Sequence, residues 1–269
     1  MTDTQAQAGG ELTGNVMFYS QPEPLNPQAH AGLGVNWTDK PFAFVTKSHA
    51  VPVTVTEFAA AGLSYPVVFV GENKTPLAVM GLRDGQNLFV SDEGMFRMDV
   101  YIPAFIRRYP FVFAADDKSE RFVLCVDRAA PFISDKPDMP FFVDGQPSEY
   151  TQNAMKFCND FETERRRTEQ FVQLLKDLDL FEIKEANFTP QNPDGTPGQV
   201  AKLADYYAVS EEKLKALPAD KFIELRDNGA LQQIYAHLHS LLGWDKLIAT
   251  ALQRAQATQG AGQPAAGNA

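Results

Sequence analysis

Two adjacent arginines, Arg107 and Arg108, sit inside the apolar run "YIPAFIRRYPFVFA" that spans Tyr101 to Ala114. A guanidinium presents its N–H donors in a rigid fork that matches a carboxylate or phosphate two bonds at a time. Tyr101 and Tyr109 bracket the pair and add hydroxyls that can donate to the same anion. Pro103 can open a short helical turn and Pro110 must close it. Neighbours on such a turn diverge, so one arginine is expected to face inward and the other outward. Two readings stand for the inward one, beside a third in which the two arginines are a simple surface pair. Either its charge is matched by a carboxylate of the same chain, such as Asp99, Asp127 or Glu57, with its stem packed on rings. Or it receives, together with Tyr101 or Tyr109, the carboxylate or phosphate of a ligand.

Other chemistry-bearing residues are sparse. Glu57, in "VPVTVTEF", closes a strand-like segment and reads as a base or, more in keeping with its setting, as a cap or ion-pair partner. His30 and His49 occupy loop-rich sequence and read as ordinary polar residues. His237 and His239, in "HLHS", fall on a helical pattern, about 160° apart around the axis. The stripe containing Ile234, Leu238 and Leu241 runs between them, so they read as boundary residues unable to share one metal ion. No HExxH, H-x-D, H-x-E, G-x-S-x-G or glycine-rich phosphate loop occurs. Neither a metal nor any other cofactor is therefore expected. Cys125 and Cys158, the only cysteines, lie in apolar patterns and read as small buried hydrophobes. The balance leans away from an enzyme. It leaves open an unfamiliar catalytic site, for which His30, Glu57, Arg107 and His237 are the candidate groups. The ligand-binding candidates are Arg107, Arg108, Tyr101, Tyr109, Glu57 and His30.

The elements that must position these residues follow from texture. Residues 1–14 and 255–269 are polar and rich in small side chains, and both stretches are expected to be disordered. Over 15–150, short segments rich in β-branched and aromatic residues ("FAFVTK", "VPVTVTEF", "YPVVFVGE", "NLFVS", "FVFAAD", "RFVLCVD") alternate with turn signals. The gaps are too short for crossover helices, so the strands are expected to be antiparallel. Over 151–254 the period becomes helical, with Met155, Cys158, Phe161, Phe171, Leu174, Leu175 and Leu178 mostly on one stripe. The expectation is an α+β fold: an antiparallel β-rich N-terminal body with a C-terminal group of helices packed on it as one compact unit.

A formal net charge of −10 argues against a nucleic-acid partner, which would draw on clustered Lys and Arg. No window approaches the roughly 18 apolar residues of a membrane-spanning helix. The first residues lack the pattern of a secretory signal, so the cytoplasm is the expected location, with export by a signal-less route left open. Oligomeric state is not written in the sequence.

Taken together, His30, "VPVTVTEF", "YPVVF", "VMGLRDGQNLFV", Gly94, "YIPAFIRRYPFVF", "LCVD", "FVDG" and "GALQQIYAHLHSL" resemble the bacterial SapC-like family associated with surface-layer proteins. The resemblance covers about Asn15 to Leu242, and "YIPAFIRRYPF" is its most specific piece. One departure is Phe96, where the family pattern carries a tryptophan. The resemblance implies a link to a surface-layer system, from which the family takes its name, and to genes for outer-membrane receptors and flavin-dependent halogenases, beside which its members appear; it brings no established catalytic residues. On this reading the chain is a non-catalytic accessory or binding protein for a peptide or other carboxylate ligand. The alternatives are an enzyme acting on a peptide or small molecule, and a structural subunit of a surface lattice.

Overall fold

The computed structural model describes residues 17–115, 122–189, 196 and 198–261, with side chains described to Ala255. In chain order the elements are β1 (Pro22–Pro24), α1 (Pro27–His30), β2 (Gly34–Val35), β3 (Ala50–Pro52), α2 (Phe58–Gly62), β4 (Val67–Val70), β5 (Thr75–Val79) and α3 (Ala104–Arg107). Next come β6 (Phe111–Ala115), β7 (Phe122–Asp127), β8 (Ile133–Ser134), β9 (Met139–Pro140), β10 (Phe142–Val143) and β11 (Gln146–Pro147). The chain continues with α4 (Glu149–Asp177), β12 (Phe181–Phe188), β13 (Ala201–Val209), α5 (Glu211–Lys215), α6 (Ala219–Asp227), α7 (Ala230–Ser240) and α8 (Gly243–Ala261). The fold is α+β, and the strand pairings are antiparallel. The N-terminal stretch 1–14 lies outside the described residues. Of the expected tail, α8 takes in the part up to Ala261, and 262–269 lie outside.

The described residues divide into two units interleaved in sequence, one within Met1–Thr38 and Arg108–Thr163, the other within Asp39–Arg107 and Glu164–Ala269. The sequence boundary thus falls between the two arginines. In the first unit β1, β7 and β6 form one sheet and β8, β2 and β9 another. The alternating apolar residues of β6 and β7 put Phe111, Leu124 and Val126 into a core with Val35, Phe141 and Cys158. Gly34 lets β2 run between its neighbours, since a Cβ there would collide with the Met139 carbonyl. Ser148 caps α4 by accepting from the Thr151 amide, so the helix starts two residues before the periodicity predicts.

The second unit holds a five-stranded sheet in the order β12-β13-β4-β5-β3. The hairpin β12–β13 lies in sequence that reads as helices and loop, and it is the largest departure from expectation. "FEIKEANF" and "AKLADYYAV" do alternate, but with charged and small residues, because much of the hairpin is solvent-exposed. "NLFVS" forms no strand and supplies only the bridge Val90–Phe96. "VPVTVTEF" is not one strand either. β3 stops at Pro52, and Thr54 and Glu57 then form a capping box that leads into α2. Phe58 of α2 packs edge-on against Phe69 of β4 and Phe171 of α4.

His237 occupies a place its boundary reading did not foresee. Tyr207 of β13 pairs with Phe69 of β4, and at the next matched position α7 inserts the imidazole between Val67 and Val209. The Val209 amide donates to Nε2 at 3.1 Å, so the proton of the neutral ring is on Nδ1, which donates to the Val67 carbonyl at 2.8 Å. The Val67 amide is satisfied by Ser240 Oγ at 2.9 Å. Side chains of a helix thus complete a sheet ladder that would otherwise leave buried backbone groups unpaired. Burial pushes the imidazole down to about 4.

Candidate functional site

Three of the six nominated side chains meet in the second unit. Glu57 is buried, and its Oε2 accepts from the Thr54 amide and hydroxyl, each at 2.8 Å. Its Oε1 accepts from the Ala104 amide at 2.6 Å and the Tyr101 hydroxyl at 2.9 Å. One carboxylate therefore closes the turn before α2 and receives the first amide of α3. A Thr-x-x-Glu spacing ahead of apolar residues is the sequence signature of such a box, and it is legible at Thr54–Glu57 once the strand reading is set aside.

Tyr101 is fixed from every side. Its amide donates to Ser64 Oγ at 3.1 Å, its carbonyl accepts from the Tyr65 hydroxyl at 2.6 Å, and its own hydroxyl reaches Glu57. That hydroxyl also accepts from Arg107 Nη2 at 3.0 Å, while Arg107 Nε donates to the Ile102 carbonyl at 2.9 Å. Arg107 is nonetheless exposed. The result is a chain of guanidinium, phenol and carboxylate that runs from solvent into the core. Desolvation and the Glu57 charge push the Tyr101 phenol above its ordinary range, so it acts as a donor and not as a phenolate nucleophile.

The other three lie in the first unit. Arg108 is the inward arginine, only 7% exposed, with its guanidinium 4.5 Å from the Phe161 ring centre and 5.9 Å from that of Tyr19. Of the carboxylates considered for it, Asp99 pairs with Arg97 at 2.8 Å and Glu57 is bonded as described. Asp127, also buried, accepts from the amides of Ser20, Gln21 and Ala129 and from the Tyr109 hydroxyl at 3.0 Å. His30 is buried, with Nε2 3.0 Å from Glu23 and Nδ1 beside Asn26.

Of the four groups considered for catalysis, Glu57, Arg107 and His237 lie in the second unit and His30 in the first. His30 and His237 are tied to separate partners in different units, and Glu57 and Arg107 each bond the Tyr101 hydroxyl. His237 is buried and His239 exposed, on one helix with different neighbours. Among the described residues no group of three His, Cys, Asp or Glu could hold a metal ion. Both thiols are buried and free, and desolvation pushes Cys125 up to about 11 and Cys158 up to about 12. At pH 8 the native thiols are expected to react with iodoacetamide slower than the urea-unfolded chain by roughly two orders of magnitude or more. Mass spectrometry of timed samples measures this directly, and equal rates would contradict the protonated, enclosed thiols.

Antiparallel sheets, a C-terminal group of helices and polar clusters anchored on the protein's own backbone define an α+β protein. A family model described as SapC matches residues 25–247, and the chain belongs to that family. No curated protein and no solved structure matches it. No helix among the described residues is long and apolar enough to cross a membrane.

Proposed function

We propose that this SapC-family protein is a non-catalytic binding protein that receives a carboxylate, from a peptide terminus or an acidic side chain, on Arg107 and Tyr101. The observation that carries the reading is an exposed guanidinium held in one orientation. Its Nε and Nη2 are fixed by the Ile102 carbonyl and the Tyr101 hydroxyl, and Tyr101 is itself anchored on Glu57. A pre-oriented arginine loses less side-chain freedom on capturing an anion than a mobile one, and that saving appears as affinity. Arg108, Tyr109 and His30 then serve the interior of the first unit, with Asp127 and Glu23 as local partners of the latter two. The family's surface-layer association suggests a peptide or protein ligand in a surface-layer or outer-membrane-uptake setting.

Isothermal titration with a short acetylated peptide, as the free acid and as the C-terminal amide, tests the reading. The acid is expected to bind wild type, and Arg107→Ala to weaken it roughly tenfold or more, the scale of a charge-assisted hydrogen-bonded pair. Only the exposed arginine is changed, because removing the buried Arg108 would disturb the fold. Equal binding of acid and amide, or undiminished binding by a folded Arg107→Ala protein, would rule the role out.

A further inference from the structure

The strand β12 forms one edge of the five-stranded sheet, and among the described residues no strand pairs with its outer side. Which backbone groups face that side follows from the register. Phe181 stands opposite Val209, whose amide donates to the His237 imidazole, so this pair exchanges no bonds across the hairpin. The N–H and C=O of Phe181 therefore point outward, and along the regular strand those of Ile183 and Glu185 do the same. Lys213 Nζ donates to the outward Phe181 carbonyl at 2.9 Å, whereas the preceding Leu180 carbonyl accepts from the Ser210 amide at 2.8 Å on the β13 side. The edge offers ladder donors and acceptors to a further strand.

The side chains restrict which strand fits. Ile183 is 67% exposed. Glu182 and Lys184 share the other face of β12 and pair at 3.2 Å. A second copy laid antiparallel about a two-fold axis beside Ile183 sets Ile183 against Ile183, and Glu182 of each copy against Lys184 of the other. The charges then alternate in sign around the axis. Phe181 and Glu185 of one copy exchange backbone bonds with Glu185 and Phe181 of the other. Centring the axis on Glu182, Lys184 or Glu185 instead sets a like charge against itself, which opposes pairing. Edge charges usually protect a strand from any partner. Here their order admits one register, with a copy of the same strand.

We propose that β12 joins β12 of a second copy, making one continuous antiparallel sheet across a symmetric dimer. Only edge residues meet, so the dimer is weak and depends on concentration. The pairing uses neither Arg107 nor Tyr101, and it stands or falls separately from carboxylate binding.

Sedimentation equilibrium of the full chain over a range of concentrations tests it. Wild type is expected to rise from the mass of one chain toward twice that mass. Ile183→Pro removes an outward N–H that β13 does not use, so the hairpin is expected to persist while association is lost. Glu182→Lys and Lys184→Glu, each alone, set like charges opposite one another and are expected to stay monomeric. Mixed in equal amounts they restore unlike pairs at both positions, and the mixture is expected to associate as wild type does. These charge variants leave the backbone untouched, so the test holds even where proline disturbs the hairpin. Wild type that stays monomeric to about 1 mM would overturn the proposal and leave the edge to a strand of another protein. So would a dimer that survives Ile183→Pro and Lys184→Glu, or charge variants whose mixture does not associate.

Discussion

Replacing Glu57 by alanine is expected to lower the unfolding free energy by about 3–5 kcal/mol, the range for removing one partner of a buried, multiply bonded charged group. The carboxylate accepts four hydrogen bonds, from the Thr54 amide and hydroxyl, the Tyr101 hydroxyl and the Ala104 amide. Alanine would leave those donors without their acceptor in a site that is only 6% exposed at Glu57 itself. Water has little room to replace it. Glutamine keeps the shape but turns an N–H group toward donors, so it is expected to recover only part of the loss. Urea denaturation of the three proteins measures the effect. A loss below about 1 kcal/mol for the alanine variant would place Glu57 among ordinary surface caps. The same variant also releases Tyr101 and with it the restraint on Arg107, so carboxylate affinity is expected to fall even where the protein remains folded.

Acid is expected to weaken the fold through His237 by about 3 kcal/mol between pH 6.5 and pH 4. The imidazole is fully buried and neutral, accepting from Val209 and donating to Val67. Protonation would set a second N–H against the Val209 amide and place a charge in the core, which is why the group falls from an ordinary 6.5 to about 4. Between these values the unfolded chain binds a proton that the native state refuses. Stability from this residue is therefore complete above about pH 6.5 and is lost as pH falls to about 4, below which it changes no further. His237→Gln is expected to lose stability at neutral pH and to show a shallower decline across the same window. Denaturation curves from pH 4 to 7.5 separate the two proteins. Parallel declines would mean that His237 titrates normally and that the sheet bridge is not formed in solution.

How much of this was readable beforehand depends on what each signal encodes. Alternating β-branched and aromatic residues marked β4, β6 and β7 because these strands are buried on at least one face. The hairpin β12–β13 escaped because Ile183, Glu185, Lys202 and Asp205 stand at exposed positions, where no apolar alternation is required. The divergence of Arg107 and Arg108 followed from helical geometry alone and matches one exposed and one buried side chain. Their destinations did not follow. That Arg108 would lie over Phe161 depends on a contact between residues about fifty positions apart, which no local pattern carries. His237 is the sharpest case. Its helical angle placed it at the edge of the apolar stripe, but the need for it arises where β4 and β13 part, a property of strands far away in sequence.

The most direct measurement of the central claim is the nitrogen–proton resonance of the Arg107 guanidinium in labelled protein, followed while an acetylated peptide is titrated as acid and as amide. The Nε–H of Arg107 is bonded to the Ile102 carbonyl, so its signal should be sharp and assignable by comparison with Arg107→Lys. With the free acid it is expected to shift saturably, together with signals of Tyr101, and with the amide to stay in place. A guanidinium signal that ignores the acid, or that moves equally for acid and amide, would contradict carboxylate capture at Arg107.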